Sequence, residues 1–298
     1  MAENGELMRS GLHNIIEGFV NGLTAPIHTI EEGFVQTKAG GTLFQVLTGL
    51  GLTTNLKLCL DAGASSSYDP AVQTDKWLDI SGNGYDFFLG SGTGADAADP
   101  TFNGNAGGLS ANEYWSFDGG DYFTYDTTNE TWMDALHKDN AMLTAVGWVQ
   151  IGALGGTVGI LGTSGAGTGN IGCRIIKLSA DTMQFAVFNA GTVLAYNTSP
   201  TTVSEDVWVF IAVSLTEATG ADGTFIAINS TFVSATSTYT SPSAAAATFA
   251  FQIGAQGNAV NPMPATSRMA ELAVWQGTAL SQDNITSIYN ATRGRFGV

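Results

Sequence analysis

Apolar and polar positions mark one segment near the end of the chain as its organiser. Met269, Glu271, Ala273 and Trp275 alternate with Ala270, Leu272 and Val274, so both faces are mostly apolar. A strand with that pattern is covered on both sides. Gln276-Gly277 breaks it. Ser281 stands where an N-cap belongs, with Asp283 and Asn284 in the first turn. Ile285, Ile288 and Tyr289 recur at helical spacing, and Arg293-Gly294 supplies a stop. Upstream, short apolar runs are bounded by Gly, Asn, Asp or Ser. They are Leu56–Asp61, Asp86–Leu89, Tyr114–Phe123, Met142–Ile151, Val158–Leu161, Cys173–Leu178, Met183–Phe188, Val193–Tyr196, Val207–Val213, Thr224–Asn229 and Thr248–Gly254. That rhythm predicts a β-sandwich or jelly roll. Gly90–Gly108 reads as a polar surface loop, and residues 127–140 as a helical turn around Trp132 and Leu136.

The first fifty residues follow another period. Met8, Leu12, Ile15, Ile16, Phe19 and Leu23 fall on one stripe, predicting an amphipathic helix over 5–23 that Pro26 ends. The run Ile16–Val20 is echoed around Phe34, which reads as a second short helix or docking element. Thr42–Leu50 is an apolar, β-branched run. The expected organisation is an anchoring arm over 1–52 and a sandwich over 53–298. An arm this small cannot bury its own stripe and is expected to need the sandwich or another subunit.

Composition narrows the function. Net charge is −16, with 26 acidic and 10 basic side chains. Phosphate backbones and anionic membranes are recognised by clustered Lys and Arg, so neither nucleic acid nor membrane is an expected partner. Cys59 and Cys173 each lie in an apolar run and are expected to be buried free thiols. The acidic N-terminus carries no apolar core of a signal peptide, so synthesis in the cytoplasm without export is expected.

Motifs then give a resemblance. Leu56, Leu58, Leu60-Asp61-Ala62-Gly63, Ser67-Tyr68, and Trp77-x-Asp79-x-Ser81-Gly82-Asn83-Gly84 resemble the opening of laminin-G-like domains of bacteria and phages. Phe117-Asp118-Gly119 with Asp121-Tyr122, Val146-Gly-Trp148-Val149, Val207–Val213 and the segment Met269–Tyr289 follow in the same order. The resemblance covers about Leu56 to Arg293 and implies an all-β concanavalin A-like jelly-roll sandwich of two antiparallel sheets. A short C-terminal helix and a partly helical N-terminal arm complete it. It also implies a structural protein of a tailed-bacteriophage virion, of head decoration or head-fibre type, oligomeric and docked on capsid or other virion proteins through residues 1–50. The docking residues would be Met8, Leu12, Ile15, Ile16, Phe19, Leu23 and Phe34. A tail-fibre or surface adhesin binding host glycans through Tyr68, Tyr85 and Tyr239 is the alternative.

Candidate chemistry is sparse. A glucanase of this fold takes two carboxyls from one strand, as E-x-D-x-x-E, and no such pattern occurs. Glu113 and Glu271 read as single acids. His13, His28 and His137 have no triad context. Gly162–Gly172 lacks the G-K-(S/T) ending of a phosphate loop. The expectation is a protein without enzymatic activity or cofactor. The resemblance implies calcium at one rim, for which Asp79, Asn83, Asp86, Asp118 and Asp121 offer oxygens. Ala270, standing where the family usually has Asp, removes one carboxylate from that set.

Overall fold

A computed structural model describes residues 30–31, 34–35, 41–125, 131–138, 142–167, 169–216, 224–234 and 245–298. The chain divides into two units, Met1–Gly40 and Gly41–Val298. In the first, Ile30–Glu31 pairs antiparallel with Phe34–Val35. Phe34 therefore lies in a strand, not in the second short helix expected there. β-branched and aromatic residues at 30, 34 and 35 favour that outcome. The stripe Met8, Leu12, Ile15, Ile16, Phe19 and Leu23 lies outside the described residues.

The second unit is a sandwich of two mixed-order antiparallel sheets. In the first sheet Met142–Gln150 lies between Trp208–Thr216 and Arg268–Gln276, and Arg268–Gln276 also pairs with Leu56–Asp61. In the second, Gly172–Lys177 pairs with Val158–Gly162 and with Thr182–Asn189, which in turn pairs with Thr192–Thr202. Two readings change. Thr101–Asn103 forms a strand inside the stretch expected to be a loop, because Phe102 packs on the core. The strand expected over 248–254 shortens to Gln252–Ile253.

Alternation sorts the side chains into two cores. Leu143, Ala145, Val149, Val209, Ile211, Val213 and Leu215 fill the space between the sheets. Their neighbours Val146, Trp148, Phe210 and Ala212 point out of the opposite face. The strand Arg268–Gln276 carries a bulge between Met269 and Glu271. Bulges shift the alternation by one residue, so Met269, Leu272 and Val274 all face inward while Ala273 and Trp275 face out. Gly147 has no side chain because a Cβ there would lie 2.8 Å from the Glu271 carbonyl.

Two helices cover the outer face. The helix α1, Leu43–Gly49, begins at Thr42 with a capping box to Gln45. Its Leu43 and Leu47, four apart, are buried against the sheet. This overturns the β-branched run expected at 42–50 and places it in the compact unit with the sandwich. Only Val46 and Thr48 of α1 are β-branched, and the cap with the i,i+4 leucines outweighs them. The helix α2, Gln282–Phe296, starts from a Ser281–Asn284 capping box and ends at Gly297 in the left-handed region. The stop is thus three residues beyond the expected Gly294, which leaves Arg295 inside the last turn. Ile285, Ile288, Tyr289 and Phe296 are buried, each contributing about 1.5–3 kcal/mol of apolar transfer. Trp148 stacks on Phe296 at 4.3 Å and donates its indole N–H to Thr292 Oγ1 at 2.9 Å.

Candidate functional site

Charge is gathered where α1, α2 and the first sheet meet. Asp61 and Glu271 are directly opposed across the pairing of Leu56–Asp61 with Arg268–Gln276. Sequence spacing of 210 residues hides this neighbourhood; the ladder creates it. Arg295 Nη1 donates to Asp61 Oδ1 at 2.8 Å and to Glu271 Oε1 at 2.5 Å. Its Nε donates to the Ser110 carbonyl at 3.0 Å and its Nη2 reaches the Glu113 carbonyl at 3.5 Å. Glu271 is therefore not the single acid expected. In sequence Asp61 carries only a motif match, and Arg295 lies beyond the Arg293-Gly294 stop.

The two carboxylates are unequally served. Asp61 Oδ2 also accepts from Leu43 N and Oδ1 from Gly63 N, both at 2.8 Å. Glu271 Oε2 is buried without a hydrogen-bond partner among the described residues. Two acids share one guanidinium, and Asp61 has the additional backbone donors that Glu271 lacks. Burial first, and then the Asp61 charge, push the Glu271 carboxyl up to about 8, against the pull of Arg295. The Glu271 proton belongs on Oε2. Glu113 lies beside the cluster: its Oε2 accepts from Ser110 N at 2.6 Å and closes its own loop, and its charge helps hold Arg295 protonated. Asp61 is fully buried and Glu271 is 2% exposed, so this pair can clamp helices to the sheet but cannot reach a substrate.

The residues expected to offer oxygens to calcium fall into two loops. Asp79 accepts from Cys59 N, Ser81 N and Oγ, and Tyr85 N. Asn83 donates to the Leu56 and Lys57 carbonyls, and Asp86 accepts from Asp79 N. The bonds within residues 79–86 close the turn, and those to Cys59 N and to the Leu56 and Lys57 carbonyls tie the loop to the strand Leu56–Asp61. At the other loop, Asp118 N donates to Asp121 Oδ2 and Gly120 N to Asp118 Oδ1. Burial, and then the neighbouring Asp118 carboxyl, push Asp121 up to about 7. Among the described residues no group of three or more His, Cys, Asp or Glu could hold a metal ion.

The aromatic candidates also move. Tyr68 is 6% exposed and packs edge-on to Trp115 at 4.5 Å, so it belongs to the core and not to a sugar-facing loop. Ser67-Tyr68 follows a tight turn in which Ser67 N and Tyr68 N both donate to the Ala64 carbonyl, which draws the ring inward. Tyr85 is half-buried and packs on Trp132 at 5.3 Å. Tyr239 lies outside the described residues. Trp115, Trp148, Trp208 and Trp275 are buried and both cysteines are buried and free, as read from sequence. His137 is buried too, its Nε2 3.2 Å from the Ala245 carbonyl, and burial pulls its pKa down.

Comparison with known proteins places this architecture. Residues 117–286 match a family model described as the concanavalin A-like lectin/glucanases superfamily. No curated protein matches. Among solved structures, the binding domain of botulinum neurotoxin DC in complex with sialylT is similar, with TM-score 0.55 and 10% identity over 80% of this chain and 52% of that one. The same domain in complex with rat synaptotagmin II gives TM-score 0.53, 10% identity, and 80% and 52% coverage. A Trypanosoma rangeli sialidase with 2,3-difluorosialic acid gives TM-score 0.51 and 13% identity over 79% of this chain and 33% of that one. The chain thus spans about half the length of the neurotoxin domains and a third of the sialidase, and at these identities the likeness is one of fold. The family match runs from Phe117, between two strands of different sheets, into α2 and takes in more than half of the sequence: this chain belongs to the concanavalin A-like lectin/glucanases superfamily.

Proposed function

We propose that this chain is a non-catalytic structural protein of a tailed-bacteriophage virion, of head decoration or head-fibre type. Residues 1–40 attach it to capsid or other virion proteins, and the sandwich projects from the particle. The observation that carries this reading is the division of the chain at Gly40/Gly41 into a small leading unit and a sandwich with its own two cores. The enclosure of Asp61 and Glu271 around Arg295 supports the absence of catalysis, since glycoside hydrolysis needs its two carboxyls flanking a bound sugar. Removal of residues 1–40 is expected to leave a soluble sandwich with an unchanged circular-dichroism spectrum that no longer joins particles. Gradient-purified particles assembled with the truncated chain check this. Incorporation at the full-length level rejects the anchor.

A second reading, binding of host glycans, is favoured by the family and by a neighbouring fold that carries sialylT. Under it, the isolated full chain gives reproducible hits on a glycan array at micromolar protein. An array blank at that concentration removes this reading and leaves the first untouched.

A further inference from the structure

A second buried arginine contrasts with Arg295. Arg174 lies on the strand Gly172–Lys177, whose Cys173 and Ile175 face the inter-sheet core, so its own side chain leaves the opposite face of the second sheet. Arg174 is 9% exposed. Arg295 is held by two carboxylates; Arg174 has none among the described residues, and burial alone draws its pKa down. Buried charges are ordinarily paired, because an isolated ion in a protein interior loses its hydration without return.

What Arg174 does have is a cradle on one side. Nη1 donates to the Gly165 carbonyl at 2.6 Å, and it lies 3.3 Å from both the Gly167 carbonyl and Gln256 Oε1. The guanidinium sits over the Phe188 ring at 4.5 Å. Gly165 makes the close approach of that loop feasible, since a Cβ there would meet the Phe249 ring at 2.8 Å. Every hydrogen bond found for the group is on Nη1. Nε is buried without a partner among the described residues. The Nε–Nη2 edge of a guanidinium is the fork that fits a carboxylate with two parallel N–H···O bonds.

We propose that Arg174 is the recognition group of a binding site for one compact carboxylate on the outer face of the second sheet, the acid being either a free carboxylic acid or the acid group of a sugar. The geometry orients the guanidinium from its Nη1 side, and among the described residues no hydrogen bond is made on the other edge. A net charge of −16 repels polyanions more strongly than a single small acid. The site stands apart from Asp61, Glu271 and Arg295 on the other sheet, and it requires neither the virion reading nor the glycan reading.

The test titrates acetate, glucuronate and glucose into the full chain at constant ionic strength, following the Arg174 Nε–H resonance by nitrogen-15 NMR. The resonance is assigned by its loss in Arg174→Lys. A saturable shift in the millimolar range is expected with both acids and none with glucose. Tighter binding of glucuronate than acetate identifies an acid sugar as the source, and equal binding a free acid. Arg174→Met is expected to weaken binding at least tenfold, and Arg174→Lys by less, since it keeps charge but loses the fork. If Arg174→Met does not fold, the wild-type titration still decides. An Nε–H resonance indifferent to both acids, or one that glucose shifts equally, overturns the proposal, as does undiminished binding in folded Arg174→Met.

Discussion

Replacing Arg295 with alanine is expected to destabilise the sandwich by about 3–5 kcal/mol at neutral pH, the range for removing one partner of a buried ion pair. The substitution removes the only cation among the described residues that pairs with Asp61 and Glu271 and abandons the bond to the Ser110 carbonyl. Asp61 retains Leu43 N and Gly63 N, but Glu271 keeps no partner found among the described residues. The last turn of α2 also loses its tie to the sheet. Arg293, two residues earlier, is the control: it is exposed, and its guanidinium rests 5.7 Å from the Tyr289 ring. Arg293→Ala is expected to cost less than about 0.5 kcal/mol, as for an ordinary surface change. Urea unfolding of both variants beside the wild type measures the difference. Equal midpoints for the two would mean that the cluster contributes no more than a surface charge.

The fold was legible because its signals are local. Alternation in Trp208–Thr216 and Met142–Gln150, turn residues between strands, and the cap at Ser281 each occupy a few adjacent positions. The chain therefore announces a sandwich closed by a helix, and the buried tryptophans follow from their strands. The charged cluster was not legible because it is made of register. Nothing near Glu271 in sequence reveals that Asp61 lies opposite it, and the bulge at Met269/Glu271 shifts which side chains face the helices. A stop at Gly294 leaves Arg295 outside the helix, whereas the helix runs to Phe296 and caps at Gly297. Gly294 follows Arg293 and Gly297 follows the buried Phe296, and it is the burial of Phe296 that carries the helix on to the second glycine. Tyr68 was misplaced for a related reason: a tyrosine in a small-residue loop looks exposed until the turn at Ala64 swings it onto Trp115. The α1 segment shows capping and leucine spacing outweighing a run that looks extended.

Glu271 is expected to make stability fall as pH rises from about 5 to 9, and Glu271→Gln is expected to remove that contribution. In the unfolded chain Glu271 titrates in the ordinary glutamate range, near 4.3. In the fold, burial and Asp61 hold its proton to about 8. A folded-state pKa raised above the unfolded value favours the fold in full below the unfolded pKa. That contribution is lost progressively as pH climbs through the folded one. The loss is on the order of 3 kcal/mol across this window, reduced from the full shift because Arg295 adjusts to the new charge. Asp121, raised to about 7 by burial, adds a slope of the same sign that the substitution leaves in place. Above pH 9 the buried Cys59 thiol, held well above its usual range, enters with that sign as well, so the window closes there. Glutamine reproduces the protonated side chain: its carbonyl accepts from Arg295, and its amide stands where Oε2 carries the proton. The measurement is the free-energy difference between variant and wild type, from urea curves at intervals between pH 5 and 9. It is expected to lie near zero at pH 5 and to favour glutamine increasingly above pH 7. A difference that stays constant across the window places the proton elsewhere and leaves Glu271 charged beneath the helix.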